Sequence, residues 1–376
     1  MRIVLRMLAV LLAATFSQPS AAQRAGTLIA AEPVVSAPPT MKAWRVRYWT
    51  TDERNRPIEV SGMVIAPNAP ASAGPRRVIA WTHGLIGIAS RCAPSIGDGN
   101  FTVIPALNDA IARGYVVVAP DYPGLGSDGV HPVLVGVSEG RSVLDGVRAA
   151  RGIPDAAAGT RFALFGESQG GHAALWTGQI WQRYAPDLQL VGIAAVVPPT
   201  DLPRNFKEGS NAQVRALLTS YAAASWSRYY GAPMTTFGKK STQNVMLRLA
   251  DNNCVQANTK PKLGTILGIL TVQRAIRNLD ISTKAPWGKL MRDNNPSAAA
   301  IAVPAFIATG TGDVIVAPAV VRDFAMRACA LGKSIRFLSV KGGEHATVAR
   351  TEATTFLDWI DARFAGERPR TNCGSF

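Results

Sequence analysis

Six short, almost uninterrupted apolar runs constrain this chain more than any other feature: "RVIAWTHG", "YVVVAPDYPG", "FALFGES", "VGIAAVVPP", "VPAFIATG" and "IRFLSV". A strand covered on both faces reads this way, because neither side of its pleat meets water. Helical spacing fills the intervals. In "GVSEGRSVLDGVRAAR", Val143, Leu144, Val147 and Ala150 share one face, as do Phe356, Leu357, Ile360 and Phe364 near the C-terminus. Strands alternating with helices predict an α/β fold built on a mostly parallel, doubly wound sheet with right-handed crossovers. Ahead of these runs, "WRVRYWT" and "IEVSGMVIAP" alternate apolar and polar residues, which predicts a half-buried pair of edge strands.

One interval breaks the alternation. Residues 201–300 contain no clear strand but include helical stretches such as "AQVRALLTSYAAASW" and "LGTILGILTVQRAI". About a hundred residues is too long for an ordinary loop, so this interval predicts an inserted helical cap or lid. It would divide the core into a first part, 23–200, and a second, 301–376. Residues 1–22 stand apart from the fold. Arg2 and Arg6, the apolar "MLAVLLAATF" and the small residues of "PSAAQ" around Ala22 form a secretory signal too short to anchor a transmembrane helix. No later segment reaches eighteen uninterrupted apolar residues, so the mature chain is expected to be soluble and secreted or periplasmic.

The formal charge is +15, and about +13 once the two signal arginines are removed. The basic residues are scattered, with Arg76-Arg77 and Lys239-Lys240 among the longest runs. Nucleic-acid binding needs a clustered stripe or a recognisable module, and neither is present. The charge therefore reads as a solvated basic surface, with attraction to an anionic lipid interface as the sharper alternative. Four cysteines, Cys92, Cys254, Cys329 and Cys373, in an oxidising compartment predict two disulfides, with three pairings open. No Cys-x-x-Cys or close Cys/His spacing points to a metal.

Two Gly-x-Ser-x-Gly matches occur, "GVSEG" around Ser138 and "GESQG" around Ser168. A nucleophilic serine of this kind sits on a sharp turn between a buried strand and a helix. Ser168 has that context, with "RFALF" leading in and "HAALWTGQIWQRY" following with Ala173, Trp176, Ile180 and Trp181 on a helical pattern. Ser138 follows a Gly- and Pro-rich stretch too irregular for a crossover helix, so it is expected to cap a helix instead. Ser168 is the candidate nucleophile.

A serine hydroxyl needs a base. Of the four histidines, His83 and His131 follow earlier strands, and His172 lies on the helix after Ser168. In this motif class the order is serine, acid, histidine, which selects His345 after the last strand. The acid between them is Asp313, in the glycine-rich turn of "VPAFIATGTGDVIVAP". Glu344 adjoins His345 and would point elsewhere, while Asp280 and Asp293 fall in the cap. Backbone amides of Gln169, after the serine, and of the turn near Leu85 are the candidate oxyanion donors.

The blocks "HGLIGIASRCAPS", "VVVAPDYPGLGSDGVHP", "GRSVLDGVRAAR", "GESQGGHAALW" and "ATGTGDVIVAP" are collinear with, and resemble, the secretory lipase family of α/β-hydrolases. The resemblance implies an α/β-hydrolase fold with a helical cap and a carboxylic-ester hydrolase, a triacylglycerol lipase or esterase. It implies the same triad, Ser168, Asp313 and His345, and the bridges Cys92–Cys254 and Cys329–Cys373. Such chemistry needs no cofactor, and the expected partners are ester substrates and a lipid interface. The alternatives are a peptidase or acyltransferase on the same fold, or a non-catalytic lipid-binding protein.

Overall fold

A computed structural model of the protein describes residues 23–71, 74–97, 100–255 and 261–376; the signal segment 1–22 lies outside them. All six apolar runs form strands: β4 (Arg76–Thr82), β5 (Val116–Pro120), β6 (Ala158–Glu167), β7 (Gln189–Val196), β8 (Ala305–Gly310) and β9 (Ile335–Val340). These six are mutually parallel. They are preceded by β1 (Leu28–Pro33), β2 (Met41–Thr51) and β3 (Pro57–Pro67), which pair antiparallel. The strand order is β1-β2-β3-β5-β4-β6-β7-β8-β9.

One expectation is corrected here. The two alternating segments are β2 and β3, but neither is an edge. The lead "LIAAEP" adds β1 outside them, and β3 is buried along its last eight residues between β2 and β5. The edge strand escaped notice because only its partly exposed residues carry the signal.

Helices cover both faces of the sheet. Gly136–Ala150, Gln169–Tyr184 and Pro318–Ala330 pack on one apolar cluster containing Val143, Leu144, Trp176 and Phe324. Leu107–Ala112 and Ala353–Phe364 close the other, around Phe165, Phe306, Phe356 and Trp359. Between β7 and β8 the chain runs through Leu202–Glu208, Ala212–Tyr230, Lys240–Asn252, Leu263–Ile276 and Trp287–Asp293, with no strand among the described residues. Local signals set these helices. The Asp201 carboxylate accepts from the amide of Arg204, and the Asn211 side chain from those of Gln213 and Val214. Gly231, at φ 73°, ends the longest helix in the left-handed region. The segment has an apolar cluster of its own, centred on Trp226, Trp287, Phe237 and Met246. No helix among the described residues is long and apolar enough to cross a membrane.

Cys92 is bonded to Cys254, and Cys329 to Cys373. The first bridge ties the loop after β4 to the helical segment. The second holds the tail, where Asn372 accepts from the Phe337 amide and donates to its carbonyl, covering the exposed side of β9. The two bridges span 162 and 44 residues. Chain-entropy estimates give at most about 5 and about 4 kcal/mol respectively. Chemical denaturation is therefore expected to show Cys254→Ser losing at least as much stability as Cys373→Ser. Non-reducing peptide mapping that finds Cys92 joined to Cys329 or Cys373 would contradict the pairing.

Candidate active site

The chain crosses over β4 on its way from β5 to β6, leaving a crevice at the C-terminal ends of β4 and β6. Open α/β sheets bind ligands at such a switch point. Ser168 lies there, directly after β6, as the residue preceding the helix Gln169–Tyr184. Its backbone sits at φ 56°, ψ −122°, a conformation that side-chain-bearing residues rarely adopt. The turn is held from both sides: the Ser168 amide donates to Val196 O at 2.9 Å, and its carbonyl accepts from the His172 amide at 3.0 Å. The glycines permit the tight approach. A Cβ on Gly170 would lie 1.8 Å from the carbonyl oxygen of Thr82 on β4, and one on Gly166 2.0 Å from the Thr82 hydroxyl.

Three strand ends deliver three side chains to one place. The Ser168 hydroxyl is 2.8 Å from His345 Nε2, and His345 Nδ1 is 2.8 Å from Asp313 Oδ2. The Asp313 carboxylate is buried, and its other oxygen accepts from the amides of Ile315 and Val316 at 2.8 and 2.9 Å. An acceptor-only carboxylate on Nδ1 fixes that nitrogen as the donor, leaving Nε2 to accept from serine. Glu344 is exposed, Asp280 caps its own turn through Ser282, and Asp293 pairs with Lys289. None of the three alternative acids joins this chain of hydrogen bonds.

The family model described as secretory lipase matches residues 100–372. The chain belongs to the secretory lipase family. Lipase A of Moesziomyces aphidis is 24% identical over 357 residues, which cover 89% of this chain and 74% of that one. A Mycobacterium tuberculosis protein named a probable inactive lipase is 24% identical over 346 residues, 88% of this chain and 75% of its own. Among solved structures, Candida antarctica lipase A in its closed state superposes with a TM-score of 0.76 at 22% identity, covering 95% of this chain and 86% of that one. The rice cell wall degrading esterase of Xanthomonas oryzae gives 0.75 at 21%, covering 92% and 100%. These structures share the α/β-hydrolase fold.

In this member of the secretory lipase family, Ser168 and Gln169 line a small pocket walled largely by apolar side chains, Leu85, Leu134, Phe206, Val214 and Leu218 among them. Gln169 is the first residue of its helix, so its amide has no acceptor within the helix. Leu85 lines the same cavity, and a Cβ on the adjoining Gly84 would be 3.5 Å from Ser168 Cβ. The carboxyl of Glu167, beside Ser168, is pushed up by burial, an effect opposed by His345. Among the described residues no group of three or more His, Cys, Asp or Glu is placed to hold a metal.

The remaining histidines are all buried and all engaged elsewhere. His83 contacts the carbonyls of Gly84 and Asp121. His131 Nδ1 is 3.0 Å from Pro123 O, and its Nε2 is 3.3 Å from Gln169 Nε2. His172 reaches Glu139 and Asn294 and makes no hydrogen bond to the Ser168 side chain. Ser138 departs from its expected role. Val135 precedes the helix, and Ser138 lies within the first turn, buried, with no hydrogen-bond partner for Oγ among the described residues. Sequence reading also missed Glu139, whose carboxylate is in hydrogen-bond contact with Leu134, Gln169 and His172. A glutamate inside the competing serine motif gives no local sign of that role.

Burial pushes the His131 imidazole down to about 3. The unfolded chain binds that proton near 6.5 and the folded chain does not. The stability this residue contributes is whole above about pH 6.5 and is lost as pH falls toward 3. Asp145, pushed up to about 6 by burial, gives the opposite slope, which cancels when two variants are compared. Denaturation between pH 7 and 4 is expected to show a smaller loss of stability for His131→Asn than for the wild type. Equal slopes would contradict the assignment.

Proposed function

We propose that this chain is a secreted carboxylic-ester hydrolase, a triacylglycerol lipase or esterase, acting through Ser168, His345 and Asp313 and an acyl-enzyme intermediate. The observation that carries this reading is the continuous run Ser168–His345–Asp313, 2.8 Å at each link, on a strained turn facing an apolar cavity. In the first step His345 Nε2 takes the hydroxyl proton as Ser168 Oγ attacks the ester carbonyl carbon. The carbonyl oxygen becomes an oxyanion between the amides of Gln169 and the turn at Leu85. The tetrahedral adduct collapses, the C–O bond to the alcohol breaks, and His345 returns the proton to the leaving oxygen. Water then repeats the sequence on the acyl-serine, releasing the carboxylic acid and restoring Ser168. Asp313 orients the ring and stabilises its cationic form throughout. No metal or cofactor enters these steps.

The apolar cavity favours acyl chains, at about 0.8 kcal/mol per buried methylene. Residues 201–300 would act as the cap over it, between core parts 23–200 and 301–376, with Cys92–Cys254 fastening one side beside the site. Secretion rests on the signal pattern of residues 1–22 and on family membership.

Kinetics on p-nitrophenyl esters, with peptide anilides as controls, test the proposal. Ser168→Ala and His345→Ala are each expected to lose about 10⁴-fold or more in kcat, Asp313→Asn somewhat less, and Ser168→Ala/His345→Ala no more than either single variant, because the residues act as a unit. Ser138→Ala should retain most activity. Ester turnover surviving in Ser168→Ala, or faster cleavage of anilides than esters, would overturn it.

A further inference from the structure

The residue after the nucleophile has a side chain that is held as firmly as its backbone. Gln169 is buried, and its Nε2 donates to Glu139 Oε1 at 2.8 Å and lies 3.3 Å from His131 Nε2. His131 Nδ1 faces a carbonyl and therefore carries the ring proton, which leaves Nε2 as an acceptor. Both amide hydrogens of Gln169 thus have acceptors, whereas the reversed amide would set its oxygen against a carboxylate. Gln169 Oε1 has no partner among the described residues, so the NH₂ group alone anchors the side chain.

Glu139 is itself fully engaged. Its Oε1 also accepts from the Leu134 amide at 3.1 Å, and its Oε2 is 2.7 Å from His172 Nδ1. The other nitrogen of His172 is 2.7 Å from the carbonyl oxygen of Asn294, which also accepts from Trp176 Nε1 at 3.0 Å. Each ring nitrogen of His172 thus faces an oxygen, one from Glu139 and one from Asn294, in a site closed to solvent. Asn294 follows the last helix of the inserted segment, and its Oδ1 accepts from the Gly136 amide that opens Glu139's own helix. Three elements meet on this pair: the nucleophile helix, the Gly136–Ala150 helix and the returning end of the insertion.

We infer that Glu139, held by His172, is a positioning residue for ester hydrolysis: it fixes Gln169 so that its backbone amide meets the oxyanion. This rests on the reading of Gln169 as an oxyanion donor. A side chain clamped at its far end restricts rotation of the first helical residue, whose amide has no intrahelical bond to align it. The benefit appears only when charge develops on the substrate oxygen, so it acts on kcat.

The test measures kcat and KM for Glu139→Ala, Glu139→Gln and Gln169→Ala on a soluble p-nitrophenyl ester. Binding of a trifluoromethyl ketone, which forms an oxyanion on Ser168, and of the matching neutral alcohol product is measured alongside. Glu139→Ala and Gln169→Ala are expected to lose about 10- to 100-fold in kcat, below the 10²–10³ of deleting a donor outright, with KM within about threefold. Ketone affinity should fall in parallel and alcohol affinity should hold. Glu139→Gln should recover most of kcat: its carbonyl can accept from Gln169 and Leu134, and its NH₂ can face His172 Nδ1. Gln169→Ala leaves the Glu139–His172 pair intact, so it remains informative if Glu139→Ala fails to fold. Unchanged kcat and ketone affinity in folded Gln169→Ala, or no recovery in Glu139→Gln, would overturn the inference, while an inactive Ser168→Ala would leave the proposed function standing.

Discussion

Everything at the candidate site depends on one backbone turn. Ser168 is held at positive φ between a buried strand and a helix, a conformation costing of the order of 1–3 kcal/mol. The surrounding structure over-determines it. β6 lies between β4 and β7, the Ser168 amide is bonded to Val196 at the end of β7, and Gly166 and Gly170 let the helix press against Thr82 on β4. Relaxing the turn would require separating strands packed on both faces. The hydroxyl is thereby lifted toward the C-terminal edge, where β8 and β9 deliver Asp313 and His345.

The same constraint explains what was legible in the sequence. The five inner parallel strands are buried along most of their length and so carry few polar positions, while β9 at the edge still reads as an apolar run although its burial alternates. The buried strand before it and the apolar helix after it distinguished the Ser168 motif, and the structure adds that a Cβ on Gly166 or Gly170 would collide with Thr82. The order of residues along the chain then selected Asp313 and His345, since in a parallel sheet every strand ends at the same edge. What escaped notice obeys no such local rule. β1 is partly exposed and gains its place by pairing with β2. Ser138 stands between glycines like Ser168, yet its helix begins at Gly136, two residues before it. The Glu139–His172–Gln169 cluster joins positions 30 and 33 residues apart, and no sequence period relates them.

The inserted helices show the division of labour within the fold. They supply most of one apolar cluster, with the aromatic rings of Trp226, Trp287 and Phe237, which Val135 joins from the core. They are joined to the core along their length: by Ser225 and Trp226, which donate to the carbonyls of His131 and Val133, by the Cys92–Cys254 bond midway, and by Asn294 near the end. The cavity beside Ser168 is lined by Phe206, Val214 and Leu218 from residues 201–300 and by Leu85 and Val316 from the core. Cavity shape is therefore set by how residues 201–300 seat, while Ser168, Asp313 and His345 are positioned by the ends of the sheet strands.

The central claim is that Ser168 alone among the serines is activated as a nucleophile. Treating the folded protein with a fluorophosphonate and digesting it for mass spectrometry tests that claim directly. One adduct per chain, on the peptide containing Ser168 and absent from His345→Ala, is the predicted result; no adduct, or an adduct on Ser138, would contradict it.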